Sequence, residues 1–563
     1  MFRAIILAIF LLVTFSVPAG FSGAEWYVAP PPTGSDSNPG TEEQPFATIQ
    51  KGIDTAADGD TVNVAEGAYF ENIEFTGKNI ILRSTDPTNP TVVENTIIDG
   101  NTAGSVVVFD GTEDETCTIA GFTIRNGESS LGGGICGGTP VRRTHATIEN
   151  NQITGNRAFD YGGAVACCDG TIRGNSVRTN NSRQGGGLAY CDGVIHDNAI
   201  DENDAWGSGG GLAHCHGEIH NNTITRNEAG DGDGGGLYEC DGTIRNNVIR
   251  GNWAWFLEDM YSPAHAMPVM AFQTSRGPAR LVAAKPVRPY GCGAGLSHCD
   301  GTISNNVISA NWAIWSGGGL AFCNGTVRSN LIAGNRAYWD GPALRECNGF
   351  IQNNTITENK SLHSSGGLFE CAGGISNCII LGNIGTDKWQ LVNSSEPTYS
   401  CIQGWTGGDS NIGANPSFVA VGHWDDNQTP SNPWDDVWVE GDYCLRSDSP
   451  CIDAGDNSLV SPFELDLDCR PRLWRGKDSL TVDMGAYEHA SFHFRITGVS
   501  ETPAPALTWT SRPGDTYIVW SCTVLSPMTL WKEEARVPSG GEATTWSGSD
   551  ARPDQEFYTI ELE

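Results

Sequence analysis

One position of the sequence, repeated along the chain, holds residues that could carry out acid–base chemistry. Each directly precedes a cysteine that begins the motif Cys, any residue, Gly, any residue, then Ile or Val: Tyr190, His214, Glu239, His298, Phe322, Glu346 and Glu370. Glu346 and Glu370 are expected to repel, which raises one pKa and separates an acid from a base. Such pairs cleave glycosidic bonds. The catalytic candidates are Glu239, His298, His214, Glu346 and Glu370; the alternative is a solvated polar column.

A second repeated position is mostly aromatic. It holds Phe159, Trp206, Trp255, Trp315 and Trp339, and is interrupted by Arg183 and Gly230. Flat amphipathic rings stack on sugar rings, although they can equally pack against a neighbouring corner or under an insertion. Tyr190 and the four tryptophans are therefore predicted to bind substrate.

An insertion over 253–290 interrupts the repeats. Loops of this length are often functional. Its cations outnumber its two carboxylates, and they are Arg276, Arg280, Lys285 and Arg288. On an acidic protein they could contact an acidic polysaccharide or dock on the protein itself. We predict that Arg276 and Arg280 bind substrate, near Glu239 and His298.

A repeat of about 24 residues must position all these side chains. The motif cysteines are Cys168, Cys191, Cys215, Cys240, Cys299, Cys323, Cys347 and Cys371. Their spacings are 23, 24, 25, 59, 24, 24 and 24 residues, the 59 containing the insertion. One asparagine keeps the same period, at Asn151, Asn175, Asn198, Asn222, Asn247, Asn306, Asn330 and Asn354, and a second follows five residues after each. Glycine-rich segments such as 185–187 lie between them.

The content of one repeat predicts a coil of short strands. A stretch such as 240–252 contains β-prone pieces separated by Gly and Asn, and none has helical periodicity. Gly and Asn tolerate the left-handed backbone of corners. One coil cannot bury its inner face alone, but stacked coils build a continuous core. We predict a parallel β-helix with hydrogen-bonded asparagine ladders.

The motif cysteines are predicted to form a buried column, because cysteine packs as a small hydrophobe. Equivalent side chains of parallel strands point the same way, which disfavours disulfides; scattered disulfides and metal binding are the alternatives. Leu188 and Cys191 are three residues apart, so a bulge or turn must intervene if both face inward. Better disulfide candidates lie outside the coils, and they are Cys444, Cys451 and Cys469, with Cys401.

The repeats resemble the right-handed parallel β-helix of the pectin-lyase-like superfamily, in the segments GGGL, C-x-G-T-I and N-N-x-I. Residues 26–75 are similar to the N-terminal region of secreted bacterial members, with a short helix around Ile49 and Ile53 that caps the first coil. Residues 415–488 are similar to a closing segment. The resemblance implies an all-β fold and leaves the activity open, since the polygalacturonase motifs N-T-D, G-H-G and R-I-K and the pectate lyase motif W-x-D-H are absent.

Composition and the N-terminus predict a secreted, acidic protein. Residues 1–24 have the layout of a signal peptide, with a charged start, an apolar run and small residues before Glu25. No later apolar run is long enough to span a membrane. The net charge of −34 argues against nucleic-acid binding. The predicted domains are a signal peptide (1–24), a β-helix (25–490) and a small C-terminal β-sandwich-like domain (491–563).

Two functions remain open from the sequence. The first is a secreted lyase or glycosidase that acts on an extracellular polysaccharide, located outside the cell, on its surface or in the periplasm. The second is a non-catalytic adhesin or structural solenoid. Either is expected to be a monomer. Calcium would suit an acidic extracellular protein, but no EF-hand loop occurs, so the metal and its ligands stay unknown.

Overall fold

The computed structural model describes residues 23–255, 291–363, 366–386, 389–405, 407–429, 436–461, 464–473 and 481–489, and six strands between 496 and 562. Four long parallel sheets form a β-helix, which confirms the predicted fold. Each regular coil passes through sheets 1, 2, 3 and 4 in turn. No helix among the described residues is long and apolar enough to cross a lipid bilayer.

Sheets 1 and 2 have thirteen strands each. Sheet 1 contains Glu25–Val28, Thr61–Val64, Ile81–Ser84, Thr118–Ala120, Thr147–Glu149, Thr171–Arg173, Val194–His196, Glu218–His220, Thr243–Arg245, Thr302–Ser304, Thr326–Arg328, Ile351–Gln352 and Ile375–Ser376. Sheet 2 contains Gly67–Tyr69, Thr96–Asp99, Thr123–Arg125, Gln152–Thr154, Ser176–Arg178, Ala199–Asp201, Thr223–Thr225, Val248–Arg250, Val307–Ser309, Leu331–Ala333, Thr355–Thr357, Ile379–Leu381 and Cys401–Ile402.

Sheets 3 and 4 have nine and twelve strands. Sheet 3 contains Glu128–Leu131, Arg157–Tyr161, Asn181–Ser182, Asp204–Ala205, Glu228–Ala229, Trp253–Ala254, Trp312–Ala313, Arg336–Ala337 and Lys360–Ser361. Sheet 4 contains Ile73–Glu74, Val107–Val108, Ile135–Cys136, Val165–Ala166, Leu188–Ala189, Leu212–Ala213, Leu237–Tyr238, Leu296–Ser297, Leu320–Ala321, Leu344–Arg345, Leu368–Phe369 and Leu391–Val392.

Stacked apolar side chains fill the interior. Sheet 1 contributes a row in which Ile172, Ile195 and Ile219 pair in register, and sheet 4 contributes a row of leucines. All eight motif cysteines are fully buried in the same core, which confirms the predicted column. The repeat therefore encodes one apolar residue per strand, and stacking buries them all.

Both predicted asparagine ladders are present and buried at the corners on either side of sheet 2. In the first, the Asn222 side-chain amide donates to Asn247 Oδ1 of the next coil at 3.1 Å and to the Ile195 carbonyl at 2.8 Å. The Asn222 backbone N–H also donates to Asn247 Oδ1. The second ladder, through Asn227 and Asn252, has the same pattern. Each asparagine thus satisfies backbone groups that the turn would otherwise bury without partners.

The N-terminal end of the core is closed by a helix, as predicted. The helix Ile49–Thr55 starts after Thr48, whose side chain accepts from the Lys51 N–H, and its Ile49 and Ile53 are fully buried in the core. A second short helix, Pro90–Asn95, follows. Ala57 lies beyond the end of the first helix and is exposed.

The closing segment covers the outer face of sheet 2 near its C-terminal end. It contains two antiparallel pairs, Phe418–Ala420 with Asp442–Leu445 and His423–Asp425 with Val437–Val439, and the 3-10 helix Asn457–Leu459. Outward-facing residues of sheet 2, including Leu331 and Ile379, pack with Phe418, Trp438 and Tyr443. In register with Leu331, the two preceding coils carry Val307 and Val248, and the coil before them carries Thr223.

A buried arginine fixes the end of the closing segment. Arg472 has no exposed surface, and its guanidinium donates to the Gly485 and Ala486 carbonyls at 2.8 and 3.0 Å. It also pairs with Glu488 at 3.1 Å. The motif around Asp483 and Glu488 therefore serves to fold this segment.

Two three-stranded antiparallel sheets follow the β-helix in sequence. One contains Ile496–Ser500, Ala506–Thr510 and Ala543–Ser547, and the other Lys532–Pro538, Thr516–Cys522 and Phe557–Leu562. Leu507 and Trp546 of the first pack with Tyr517 and Val519 of the second. This packing agrees with the predicted sandwich-like module.

The expected disulfides outside the coils are not formed: the seventeen cysteines whose side chains are described carry free thiols. Cys401 and Cys451 are buried in the same cluster between sheet 2 and the closing segment, where the Cys401 thiol donates to the Ala414 carbonyl at 3.2 Å. Cys444 points to Asp468 instead, with Sγ and Oδ2 3.8 Å apart, and Cys469 is exposed.

Burial of the column predicts its reactivity. We expect a thiol reagent to modify Cys469 readily in the native protein and the motif cysteines only after unfolding, since burial in the core excludes the reagent and disfavours the thiolate. Peptide mapping after labelling with and without guanidinium distinguishes the two sets. Labelling of Cys215 as fast as Cys469 under native conditions would contradict the buried column.

Glu358 predicts a pH dependence of stability. It lies at a corner where burial raises its pKa to about 7. Since this exceeds the ordinary value of 4.5, its contribution to stability is fully present below that value and is lost as pH rises through about 7. We expect Glu358→Gln to raise the unfolding temperature at about pH 8 and to leave it nearly unchanged at about pH 4. The corresponding gain in the free energy of unfolding at about pH 8 is at most about 3 kcal/mol, reduced by solvent screening of this partly exposed side chain.

Glu202→Gln is the matched control for Glu358→Gln. Glu202 occupies the equivalent corner of an earlier coil, with φ of 54° like Glu358, but its side chain is 42% exposed. Thermal unfolding of both variants across pH checks the prediction. A Glu358→Gln effect that is equal at the two pH values would contradict it.

Candidate functional site

The corner between sheets 4 and 1 displays the candidate residues predicted from the repeat. The residue before each motif cysteine has a left-handed backbone, with φ of 55° at Tyr190, 54° at His214 and 48° at Glu239. This turn lets Leu188 and Cys191 both face the core while Tyr190, between them, points outward. It explains how two residues three positions apart can both be buried. We call Tyr190, His214, Glu239, His298, Phe322, Glu346 and Glu370 the corner column.

Glu239 and His214 form the closest acid–base pair in the corner column. Glu239 Oε2 lies 3.1 Å from His214 Nδ1, and the two side chains are 41% and 13% exposed. His214 Nε2 lies 3.2 Å from Gln184 Oε1. With the amide oxygen accepting from Nε2–H, the other ring nitrogen, Nδ1, faces the Glu239 carboxyl group at hydrogen-bond distance. Glu239 and His214 are therefore arranged to exchange a proton.

Aromatic rings surround this pair. The Tyr190 ring stacks on His214 with centroids 4.9 Å apart, and Tyr161 meets Tyr190 edge-on at 4.9 Å. Tyr238 meets His214 edge-on at 5.8 Å. Burial, with the Tyr161 hydroxyl and Glu239 nearby, raises the pKa of Tyr190 to about 12. The walls of the site are thus neutral and flat.

His298 lies on the other side of Tyr238. Its ring is 5.6 Å from Tyr238 and 4.8 Å from Phe322, and its Nδ1 is 2.9 Å from Ser297 Oγ. His298 therefore extends the aromatic surface, and its hydrogen-bond partner is a hydroxyl. Tyr238 was not among the predicted residues, although it replaces the Ala213 of the preceding coil in register.

Arg345 changes the expectation for Glu346 and Glu370. Its Nη2 is 2.8 Å from Glu346 and 3.1 Å from Glu370, and its Nη1 also pairs with Asp340. A guanidinium shared by the two glutamates therefore offsets part of the expected repulsion between them, and Asp340 is a third carboxylate on the same cation. Their geometry fits binding or support of the site better than a split acid and base.

At the other end, the corner column leads into a polar groove of about 600 Å³. Arg143 pairs there with Asp169 and Asp192, and its guanidinium lies 5.5 Å from the Tyr190 ring centre. The strands Gly138–Thr139 and Arg142–Arg143 form an antiparallel pair at the rim of this groove. Arg143 therefore connects this polar groove to the aromatic surface around His214.

The second aromatic position forms two separate patches. Arg157 lies between Phe159 and Trp206, 5.0 and 4.9 Å from their ring centres. Trp315 contacts Trp339 at 5.6 Å, and Trp339 contacts His363 at 5.0 Å.

Between these patches, Trp255 donates from its indole to Glu228. Polar contacts therefore separate the two patches, in addition to the interruptions by Arg183 and Gly230 that the sequence shows. Arg276 and Arg280 lie outside the described residues.

Glycine backbone separates the second aromatic position from the corner column. A Cβ on Gly210 would lie 2.5 Å from the Glu228 backbone nitrogen, so only glycine fits this close stacking. The Gln184–His214 contact crosses the same segment. A strip of glycine backbone thus lies between the second aromatic position and the corner column.

Buried Asp233 was also missed by the sequence reasoning. Its Oδ1 accepts from the Gly291 and Cys292 N–H groups at 2.9 and 2.8 Å. Burial raises its pKa. These residues rejoin the β-helix after the insertion, so Asp233 anchors that junction one coil away from His298. In the sequence, Asp233 could have been noticed as an acidic residue between Asp231-Gly232 and the glycine run 234–236.

The remaining histidines do not form a metal site. His196 and His220 stack at 5.0 Å on the outer face of sheet 1, where burial lowers the pKa of His220, while His216 faces Asp241 at 3.5 Å. Among the described residues, no group of three His, Cys, Asp or Glu side chains is arranged to hold a metal ion. Calcium has no assigned ligands there.

Comparisons with known proteins give distant likenesses. No family model matches the chain. The uncharacterised protein YwoF of Bacillus subtilis (strain 168) is 27% identical over 169 residues, which cover 27% of this chain and 29% of that protein. The aligned region thus spans less than a third of that relative's length.

Two solved structures are similar in outline. Pectate lyase Pel9A is 12% identical, with a TM-score of 0.35 over 84% of this chain and 97% of that one. A rhamnogalacturonan lyase is 13% identical, with a TM-score of 0.25 over 71% of this chain and 91% of that one. Likenesses of this size do not bear on the activity of this chain.

Proposed function

We propose that this chain engages an extracellular polysaccharide along the corner column and cleaves it there. The observation that supports this most is the hydrogen-bonded series Glu239, His214 and Gln184, set between the rings of Tyr190 and Tyr238. Aromatic faces bind the C–H faces of sugars, and a positioned acid–base pair transfers the proton that bond cleavage needs. The proposal takes the chain to be exported through the segment 1–24.

The roles follow from the geometry. His214 is held at both ring nitrogens, by Glu239 and by Gln184, so its orientation is fixed. Glu239 is the more exposed member and can reach a bound sugar. We assign Glu239 to exchange a proton with the glycosidic oxygen or with water, and His214 to set its protonation.

A second function, binding without cleavage, is favoured by the length of the aromatic surface. Rings continue in both directions beyond Glu239 and His214, to Tyr161 and to Phe322. A solenoid that holds a polysaccharide as an adhesin would need this surface but not the acid–base pair.

Tyr238→Ala tests the binding surface. We expect it to weaken polysaccharide binding by about tenfold, the equivalent of roughly 1.4 kcal/mol, because a sugar loses one stacking face. Affinity electrophoresis in gels that contain one polysaccharide each measures the change, together with assays for reducing ends and for unsaturated products.

Phe350→Ala is the control for Tyr238→Ala. Phe350 is 60% exposed and precedes the sheet 1 strand Ile351–Gln352, four residues beyond Glu346 of the corner column. Equal losses in both variants would contradict the assigned surface. Binding by the parent chain without release of reducing ends or unsaturated products would support the adhesin function over the enzyme.

A further inference from the structure

The surface around the corner column is strongly acidic. Carboxylates line the column and the positions beside it, with at least part of each side chain exposed: Asp169, Asp192, Glu239, Asp241, Asp300, Asp340, Glu346 and Glu370. The arginines of the same strip are Arg143, Arg183 and Arg345. Eight carboxylates against three guanidinium groups leave this described surface with a clear excess of negative charge.

Two of the three arginines are already neutralised. Arg143 pairs with Asp169 and Asp192, and Arg345 contacts three carboxylates. A negatively charged sugar would have to displace these partners or lie next to them. In the described part of the strip, only Arg183 is exposed and forms no salt bridge with a carboxylate.

The carboxylates are held in register rather than scattered. Asp241 Oδ1 accepts from the Asp300 N–H at 2.9 Å, and Asp300 Oδ1 accepts from the Asn324 N–H at 2.7 Å. Each aspartate thus uses Oδ1 to bond the next coil and remains exposed, although Asp241 Oδ2 also lies 3.5 Å from His216 Nδ1. Such oxygens accept hydrogen bonds from sugar hydroxyls and repel sugar carboxylates and sulfates.

We infer that the polysaccharide recognised by the corner column is uncharged, made of sugars whose hydroxyls meet the carboxylates and whose C–H faces meet Tyr190 and Tyr238. This inference rests on the proposed function and names its substrate class. It narrows the reaction as well. β-Elimination needs a carboxyl group, free or esterified, next to the carbon that loses its proton, and a neutral sugar without such a group cannot react in this way.

Cleavage of an uncharged polysaccharide that has no esterified carboxyl groups is therefore hydrolysis. The bond between the anomeric carbon and the glycosidic oxygen breaks, water supplies the hydroxyl of the new reducing end, and a proton reaches the departing oxygen. Glu239 can deliver that proton and recover one from water, so the side chain ends each cycle unchanged.

Polysaccharides that differ mainly in charge test the inference on the full-length chain. The pairs are methyl-esterified and de-esterified homogalacturonan, arabinoxylan and glucuronoxylan, and agarose and sulfated carrageenan, each with calcium and with a chelator. We expect at least one uncharged member to bind at least tenfold more tightly than its charged counterpart at low ionic strength. Added salt should narrow that gap, because it screens repulsion.

An Asp241→Asn and Asp300→Asn double variant provides the internal control. It should strengthen binding of the charged member several-fold, because two negative charges are removed, and so lower the ratio between the affinities for the uncharged and the charged member. Tighter binding of charged members by the parent chain, with or without calcium, would overturn the inference and leave the proposed function standing. Failure of every member to bind would overturn the proposed function itself, and the inference with it.

Discussion

Replacing Asn330 with alanine is expected to destabilise the β-helix by about 3–5 kcal/mol, because several buried polar groups lose their partners together. Asn330 is fully buried. Its amide donates to the Ile303 carbonyl and to Asn354 Oδ1, and its Oδ1 accepts both the backbone N–H and the side-chain amide of Asn306. Four hydrogen bonds disappear, and no water reaches the gap.

Asn324→Ala is the matched control for Asn330→Ala. Asn324 belongs to an exposed ladder in which it contacts Asp300 and Asn348, each 24 residues away, through equivalent side-chain bonds. Water replaces these bonds, so the expected loss is below about 1 kcal/mol. Urea unfolding and hydrogen exchange at the Asn306 amide measure both variants. Similar losses would show that burial of the ladder does not stabilise the fold.

Replacing Glu239 with glutamine is expected to lower the rate of polysaccharide cleavage by about 10²–10⁴-fold, the usual contribution of a positioned general acid or base. The amide keeps the size of the side chain and a hydrogen bond to His214, but it cannot exchange a proton. Binding should therefore change little while turnover is lost. Initial rates and dissociation constants for the same polysaccharide separate these effects.

Glu202→Gln is the control for Glu239→Gln. Both glutamates stand in left-handed corners, with φ of 54° and 48°. Their side chains are also about equally exposed, at 42% and 41%. They differ in that Glu202 lies at another corner of the coil and pairs with arginines. A Glu239→Gln protein that retains the parent rate would remove Glu239 from the mechanism.

The ladders and the core could be predicted from the sequence because each coil repeats the same physical demand. Asn222 and Cys215 recur with the period, and repetition identifies buried positions without knowledge of the coil's shape. The left-handed backbone at His214 was less accessible. Only the three-residue gap between Leu188 and Cys191 signalled it, and the gap alone does not distinguish a bulge from a turn.

Contacts of the site were harder to predict because they join non-repeating residues. Tyr238 and Arg345 occupy a position that is alanine in several coils, so they break the pattern that identified the column. Arg345 in particular contacts both Glu346 and Glu370 and so offsets part of the repulsion expected between them. Leu331 and Ile379 are apolar residues that face outward from sheet 2, and the closing segment packs over them.

A crystal structure of the Glu239→Gln protein with a bound oligosaccharide from the panel tests the central claim most directly. We expect sugar rings against Tyr190 and Tyr238, with a glycosidic oxygen about 2.6–3.2 Å from the substituted side chain. A sugar bound instead beside the His196 and His220 pair on sheet 1, with the corner column empty, would contradict the account.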